Sequence, residues 1–381
     1  MKILFVIDKM KNYAGIERIL SCKMNYISDH TSHNVFLTTY DQQSQGLPFQ
    51  LNENISYQPI HVPMPLRNKM TFFSWLKAYF QARSLFKCRF LSLLNAIQPD
   101  IVICTVYSFQ VLDIIINICH KQDIKTIMES HTKGETVTMA HKFKYNRYLH
   151  KLFSFCDHNI MKSLRYCSCV VTLTRQDVSF WQRYTRRIEV IPNMLTITPI
   201  IISDYGVKRV ISAGRYMSEK GFDRLLKAWN LVKDNYSGWK LYIFGNGNRS
   251  PYQKIVDQLQ LGEAVHLMPA TENIAEEFSK SSIYVMSSRY EGFGLVLAEA
   301  MSCGLPCVSF DCPYGPREII TDGEDGLLAE DGNIGDLAKK LEQLMSDEEL
   351  RKKMGAKALQ NISRFNPDTI MVQWTNLFNS I

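Results

Sequence analysis

The chain has 381 residues, 46% hydrophobic and 21% charged, with a net charge of +7. That balance excludes a disordered polymer, and the length exceeds one ordinary core, so two domains are predicted. No run of 18 or more apolar residues occurs, which excludes an apolar membrane-spanning helix.

The charge is unevenly held. Residues 1–195 carry 24 Lys and Arg against 13 Asp and Glu, and the remainder carries 20 against 24. A basic first half calls for an anionic surface or substrate. No aromatic-basic recognition motif accompanies it, so nucleic acid is not an expected partner, and an anionic membrane face fits as well or better. The ten cysteines show no C-x2-C pair. Reduced, buried thiols in a cytosolic protein are the favoured reading, with a metal or redox role as the alternative.

Met1–Asp8 is too short for a signal peptide and reads as a first buried strand, Lys2–Ile7. A turn over Asp8–Gly15 and a helix over Ile16–Ser28 follow. Apolar runs at Asn34–Thr39, Ile101–Thr105, Thr126–His131, Cys169–Thr174 and Ile188–Asn193 predict further strands. Asn68–Ile97 is a long basic and aromatic helical region, with Phe72, Phe73, Trp75, Leu76, Tyr79 and Phe80 among Lys69, Lys77, Arg83, Lys87 and Arg89. It fits a core helix with a solvated edge or an interfacial helix. A second basic cluster comprises Lys142, Lys144, Arg147, Lys151, Lys162 and Arg165.

Thr196–Tyr205 shows no helical period and reads as a linker. The alternation then restarts. Strands are predicted at Lys208–Ala213, Trp239–Phe244, Ala264–Met268, Ile283–Met286, Pro306–Phe310 and Gly326–Ala329. Helices are predicted at Gly221–Val232, Pro251–Leu259, Ile274–Ser279, Leu295–Ser302, Ile334–Met345, Asp347–Ile362 and Phe365–Ile381. Strands separated by helices in both halves mean two parallel, doubly wound α/β sheets.

Several loops carry candidate chemistry. Glu291 and Glu299 bracket two glycines and an apolar run that reads as strand, glycine turn and helix start, a geometry that aims backbone N–H groups at an anion. Gly214-Arg215 and Lys220-Gly221 place a guanidinium and an ammonium five residues apart between a strand and a helix, which suits a diphosphate or an ordinary surface loop. Gly15 opens the first helix, either for close approach to a phosphate or sugar or as a plain turn glycine. His131 ends a strand after Glu129, where ligands of open α/β sheets bind, although a lone His is more often structural. Phe244–Ser250 lacks the third glycine of a dinucleotide loop and reads as a tight turn. Asp322–Gly326 reads as a turn rather than a metal loop.

Glu291–Glu299, written E-G-F-G-L-V-L-A-E, resembles the E-x7-E signature of retaining glycosyltransferases of the GT-B fold, and most closely family 4, the glycosyl transferases group 1. Gly214-Arg215 with Lys220-Gly221 resembles the family's diphosphate loop. Ile191-Pro192-Asn193 resembles its I-P-N segment. Cys312–Ile320, with Asp322-Gly323 and Gly326-Leu327-Leu328, resembles the segment after its catalytic helix. The likeness is specific over 191–330 and weaker over 1–190. Ala14 departs from the pair of adjacent glycines that the family often has in its first loop.

The resemblance implies two Rossmann-like domains facing across a cleft: an acceptor-binding domain 1–195, a linker 196–207, a nucleotide-sugar-binding domain 208–364 and a helix 365–381 crossing back. It implies a hexosyltransferase moving a sugar, most often from UDP, to a glycan or lipid-linked acceptor in cell-surface polysaccharide or glycoconjugate synthesis. Such an enzyme would be cytoplasmic, at the inner face of the membrane. Arg215 and Lys220 would neutralise the diphosphate. Glu299 would bind the ribose and Glu291 the transferred sugar. The amides of Phe293, Gly294 and Leu295 would hold the distal phosphate and sugar. His131 would approach the sugar from the other domain, and Gly15 would line the donor side. No metal or cofactor is demanded. The alternatives are a GT-B nucleotide-sugar 2-epimerase and a non-catalytic nucleotide-sugar-binding or scaffold protein.

Overall fold

A computed structural model of the chain describes residues 1–10, 15–42, 46–65, 70–105, 110–134, 151, 154, 157–158, 160–197 and 202–381. Asn12, Tyr13 and Ala14 of the first loop, Asn68 and Lys69, the basic residues Lys142, Lys144 and Arg147, and the middle of the expected linker lie outside the described residues. The chain divides into two compact units, Met1–Pro192 with Ile370–Ile381, and Asn193–Thr369.

The first unit is built on a parallel sheet of seven described strands: β1 (Lys2–Ile7), β2 (Asn34–Thr39), β3 (Ser56–Tyr57), β4 (Ile101–Thr105), β5 (Lys125–Ser130), β6 (Cys169–Thr172) and β7 (Ile188–Val190). Their order is β3-β2-β1-β4-β5-β6-β7. The runs are apolar almost throughout because helices cover both faces of such a sheet; Ile3 to Ile7 are at most 2% exposed. The helices are α1 (Gly15–His30), α2 (Phe72–Ile97), α3 (Leu112–Lys121) and α4 (Arg175–Trp181). Thr71 caps α2 by accepting from the Ser74 amide. Phe86 and Phe90, one turn apart on α2, stack at 5.4 Å in the core.

The second unit repeats the plan with β8 (Arg209–Ala213), α5 (Phe222–Val232), β9 (Lys240–Phe244), α6 (Ser250–Gln258), β10 (Val265–Met268), α7 (Ile274–Ser279), β11 (Ile283–Met286), α8 (Leu295–Ser302), β12 (Cys307–Phe310), α9 (Pro316–Ile319), β13 (Gly326–Ala329), α10 (Ile334–Ser346) and α11 (Glu348–Ile362). Strand order is β10-β9-β8-β11-β12-β13, all parallel. Trp229 and Phe222 of α5 fill its core. Asn333 and Asp347 cap α10 and α11 by accepting the amides of Asp336 and Leu350.

Two boundaries differ from expectation. The units part at Pro192–Asn193, ahead of residue 195, because Leu195 N donates to Phe365 O at 2.9 Å within the second unit. The described linker residues are fastened to that unit as well: Ser203 N donates to Cys303 O, and Arg351 Nε donates to Tyr205 O. The last helix, α12 (Pro367–Ser380), belongs to the first unit from Ile370 onward. There Trp374 is buried, and Arg187 donates to Ser380 O at 3.0 Å.

Trp75 is 5% exposed and its Nε1 donates to Pro65 O at 3.2 Å, so it belongs to the packed side of α2. Phe73 and Phe80 are 81% and 60% exposed.

Candidate functional site

A parallel sheet that runs outward in both directions has a switch point, and ligands sit beyond the carboxyl ends of the strands on either side of it. In the second unit the chain leaves β8 toward β9 and β10, then returns to β11 and runs the other way. The switch point therefore lies between β8 and β11. The loop after β8 carries Arg215 and Lys220. The loop after β11 carries Glu291 and leads into α8.

These two loops are sewn together. Lys220 Nζ donates to Glu291 Oε1 at 2.7 Å and to Oε2 at 3.0 Å. Ser288 Oγ donates to the same Oε1. Ser287 Oγ donates to Lys220 O, and Arg289 N donates to Glu219 O. Arg289 also forks onto Asp223 at 2.9 and 2.8 Å, and that bond holds the Asp223 carboxyl below its usual range. Gly221 makes the crossing feasible. Its φ is +63°, and a Cβ there would stand 2.0 Å from Ser287 O. Arg215 reaches Glu219 at 3.4 Å, but its side chain remains 61% exposed and open to a ligand.

Gly294 sits at φ +92° before α8 and provides no side-chain cap. The first-turn N–H groups of a helix have no partners inside it, so this end can receive an anion. Glu299, five positions on from Gly294, is 2% exposed and accepts from Thr196 Oγ1 at 2.7 Å. Phe293 packs its ring edge-on against Phe365 at 5.3 Å, leaving its backbone to line the turn. The Phe244–Ser250 turn supports the same region: Gly214 N donates to Phe244 O, and Tyr216 N donates to Asn246 O. The acids of the Asp322–Gly326 turn are taken up by protein donors, with Asp322 accepting Leu328 N, Asp325 accepting Thr321 N and Asn361 Nδ2, and Glu324 accepting Asn361 Nδ2.

Of the sequence-derived candidates, Arg215, Lys220, Glu291, Phe293, Gly294, Leu295 and Glu299 lie on these loops and on α8. His131 and Gly15 belong to the first unit. Gly15 is exposed at the start of α1. His131 follows the end of β5, its side chain 1% exposed, with Nε2 3.1 Å from Glu129 Oε1. Burial would raise the Glu129 carboxyl, but the Lys23 ammonium and His131 outweigh it and hold it down at about 2. Lys23 donates to Glu129 from α1.

Sequence reading missed Lys23, Ser288, Thr196 and the Arg289–Asp223 pair. For Lys23 a signal existed: it lies four residues from both Ile19 and Ile27, on the buried stripe of α1. The buried cysteines have thiols raised by desolvation, to about 12 for Cys119, Cys167, Cys169 and Cys303.

Two doubly wound parallel units in one chain define the GT-B class of fold. The chain superposes on an S. aureus TarM structure with a TM-score of 0.75 at 17% identity, covering 100% of each chain. The family follows from the sequence comparisons. Residues 198–361 match the glycosyl transferases group 1 family. An uncharacterized glycosyltransferase of Haemophilus influenzae is 32% identical over 238 residues, 60% of this chain and 67% of the relative. The amylovoran biosynthesis glycosyltransferase AmsD of Erwinia amylovora is 26% identical over 392 residues, 99% of each. The chain belongs to the glycosyl transferases group 1 family and is a glycosyltransferase.

Proposed function

We propose that this enzyme is a retaining glycosyltransferase of family 4. It moves a hexose from a nucleotide-diphosphate sugar, UDP-linked by preference, to a glycan or lipid-linked saccharide during cell-surface polysaccharide synthesis. The observation that carries the reading is the Lys220–Glu291 pair beside the uncapped start of α8, at the second unit's switch point. AmsD, by its name, serves amylovoran biosynthesis, and the TarM mutant was solved with fondaparinux, α-GlcNAc-glycerol and UDP. Both support the choice of reaction and donor.

The roles follow from charge and reach. Breaking the anomeric C–O bond leaves positive charge on the sugar and negative charge on the diphosphate. Arg215, exposed, and Lys220, already aligned, supply the countercharge, together with the amides of Phe293, Gly294 and Leu295. Glu291 accepts hydroxyls of the sugar, and its contact with Lys220 ties sugar position to diphosphate position. Glu299 accepts the ribose hydroxyls. The resemblance carries over His131 as a sugar-contacting group and Gly15 as a donor-side group of the first unit. Same-face attack by the acceptor hydroxyl, with its proton passing to a leaving diphosphate oxygen, gives retention.

Among the described residues no helix is long and apolar enough to cross a membrane. The face of α2 bearing Phe73, Lys77 and Phe80, at i, i+4 and i+7, supports peripheral contact with an anionic leaflet at the cytoplasmic surface. There it would meet a lipid-linked acceptor.

The test is a thermal-shift screen of UDP-, GDP- and ADP-sugars, followed by mass analysis of products with saccharide acceptors. A stabilising UDP-sugar and a mass gain of one hexose on the acceptor are expected. Donor turnover that alters the sugar without transfer would replace this reading with an epimerase, and no binding of any nucleotide would reduce the chain to a scaffold.

A further inference from the structure

Three ionisable side chains of the first unit share one buried pocket. Lys23 is 3% exposed, and Glu129 and His131 are each 1% exposed. Lys23 Nζ donates to Glu129 Oε1, and the same oxygen lies 3.1 Å from His131 Nε2. Thr105 Oγ1 from β4 reaches the other carboxylate oxygen at 3.4 Å. The ammonium also sits 3.8 Å from the centroid of the Trp374 ring on α12. Neither nitrogen of His131 has an aligned hydrogen-bond partner, which is costly for a buried ring and leaves valence for a ligand.

One carboxylate oxygen therefore bonds Lys23 and also faces His131. A buried carboxylate must have a counter-ion, because an uncompensated charge there costs several kcal/mol. Lys23 is the counter-ion in place: burial pulls its ammonium below the usual lysine range, and the Glu129 carboxylate opposes that pull. The imidazole is a cation only when it binds a proton. If Lys23 were absent, the proton on the ring would be the available replacement. An imidazolium beside the transferred sugar would oppose the positive charge that develops at the anomeric carbon, whereas a neutral ring would not.

We propose that Lys23 is a positioning residue that pairs with Glu129 at the same oxygen that faces His131, so that the imidazole is seated against a carboxylate that already has a cation. Trp374 holds the ammonium in place from α12 through its π face. The Glu129 carboxylate of β5 meets the Lys23 ammonium from α1, the His131 imidazole and the Thr105 hydroxyl from β4, and the Trp374 indole of α12 meets the Lys23 ammonium. The consequence for turnover rests on the reading of His131 as a sugar contact; the proton linkage itself does not.

The test follows the His131 ring resonance by NMR in the full chain, identified by its loss in His131→Asn, with donor turnover measured across pH in parallel. Lys23→Met should raise the pH at which this ring titrates by about one unit or more, a tenfold gain in proton affinity, and turnover should fall on the acid side over the same interval. Lys23→Met/Glu129→Gln removes both charges and should return the ring to within roughly 0.3 unit of the parent. That double variant also decides the matter if Lys23→Met does not fold. An unmoved ring in folded Lys23→Met, or a double variant displaced by about a unit, overturns the proposal. If the ring shifts as expected but His131→Asn retains full turnover, the sugar-contact role fails while the linkage stands.

Discussion

Replacing Lys220 with Met separates a structural ion pair from a catalytic charge. Lys220 Nζ lies 2.7 and 3.0 Å from the two oxygens of Glu291, with side chains 21% and 10% exposed. At an effective dielectric of about 20, unit charges about 3 Å apart attract by roughly 5 kcal/mol. Desolvation and the water that reaches Lys220 reduce the net loss on truncation to about 1–2 kcal/mol, equivalent to about 2–8 °C in Tm for a unit of this size. The effect on chemistry is larger. Losing one donor to a developing anion typically costs about 2.7–4 kcal/mol, or 10²–10³ in kcat. Adding Glu291→Gln to Lys220→Met should recover stability, because no uncompensated carboxylate remains, yet leave kcat depressed. Steady-state nucleotide release with one donor, beside thermal melts, measures both. A folded Lys220→Met enzyme with kcat within about threefold of the parent would refute the assignment of diphosphate charge to Lys220.

Three further outcomes are expected. Burial pushes the Asp8 carboxyl up to about 6, against the Lys9 amide and charge. A carboxyl raised on folding favours the fold only while protonated, so its contribution is present below about pH 4 and lost as pH rises through about 6. Asp8→Asn, which retains an acceptor for the Lys9 amide, should therefore raise stability at about pH 7.5 by up to about 3 kcal/mol, read as a higher Tm, and leave Tm unchanged near pH 4; equal shifts at both would contradict this. Gly221→Ala meets both a left-handed φ and the Ser287 carbonyl at 2.0 Å, and should cost about 3 kcal/mol or more, read by denaturant unfolding. Phe73→Ser/Phe80→Ser should abolish flotation with anionic vesicles while leaving Tm within about 2 °C, and a parent chain with no preference for anionic over neutral lipid would remove the membrane proposal.

The doubly wound plan was legible because each strand of a parallel sheet is buried on both faces. Ile3–Ile7 and Ile283–Met286 are continuous apolar runs for that reason, and the spacing of helices between them leaves little choice of topology. β3 was not legible: a two-residue strand at Ser56–Tyr57 has no period. Neither was α3, where buried Leu112, Ile115, Ile116, Ile118 and Cys119 leave too little polar contrast to separate helix from strand. At the second unit's site, the motif residues were readable but their contacts were not. Lys220 and Glu291 stand 71 positions apart and meet only because β8 and β11 are sheet neighbours. Aromatic composition left Trp75 undecided, since sequence does not say which side of α2 meets the core. Lys23 was hidden by its own chemistry: a cation on an apolar stripe looks like an exception until its carboxylate is found.

The path of α12 has a consequence for biogenesis. The first unit is discontinuous: Asn193–Thr369 is interposed before Ile370–Ile381 completes it. During synthesis, α1 and β5 are available early, but the indole that covers Lys23 is not. At about 5–20 residues per second, roughly 18–70 seconds separate Lys23 from Trp374. Throughout that interval the Lys23 ammonium lacks its aromatic cover, and the pocket that holds Lys23, Glu129 and His131 is completed only after the interposed unit has been made.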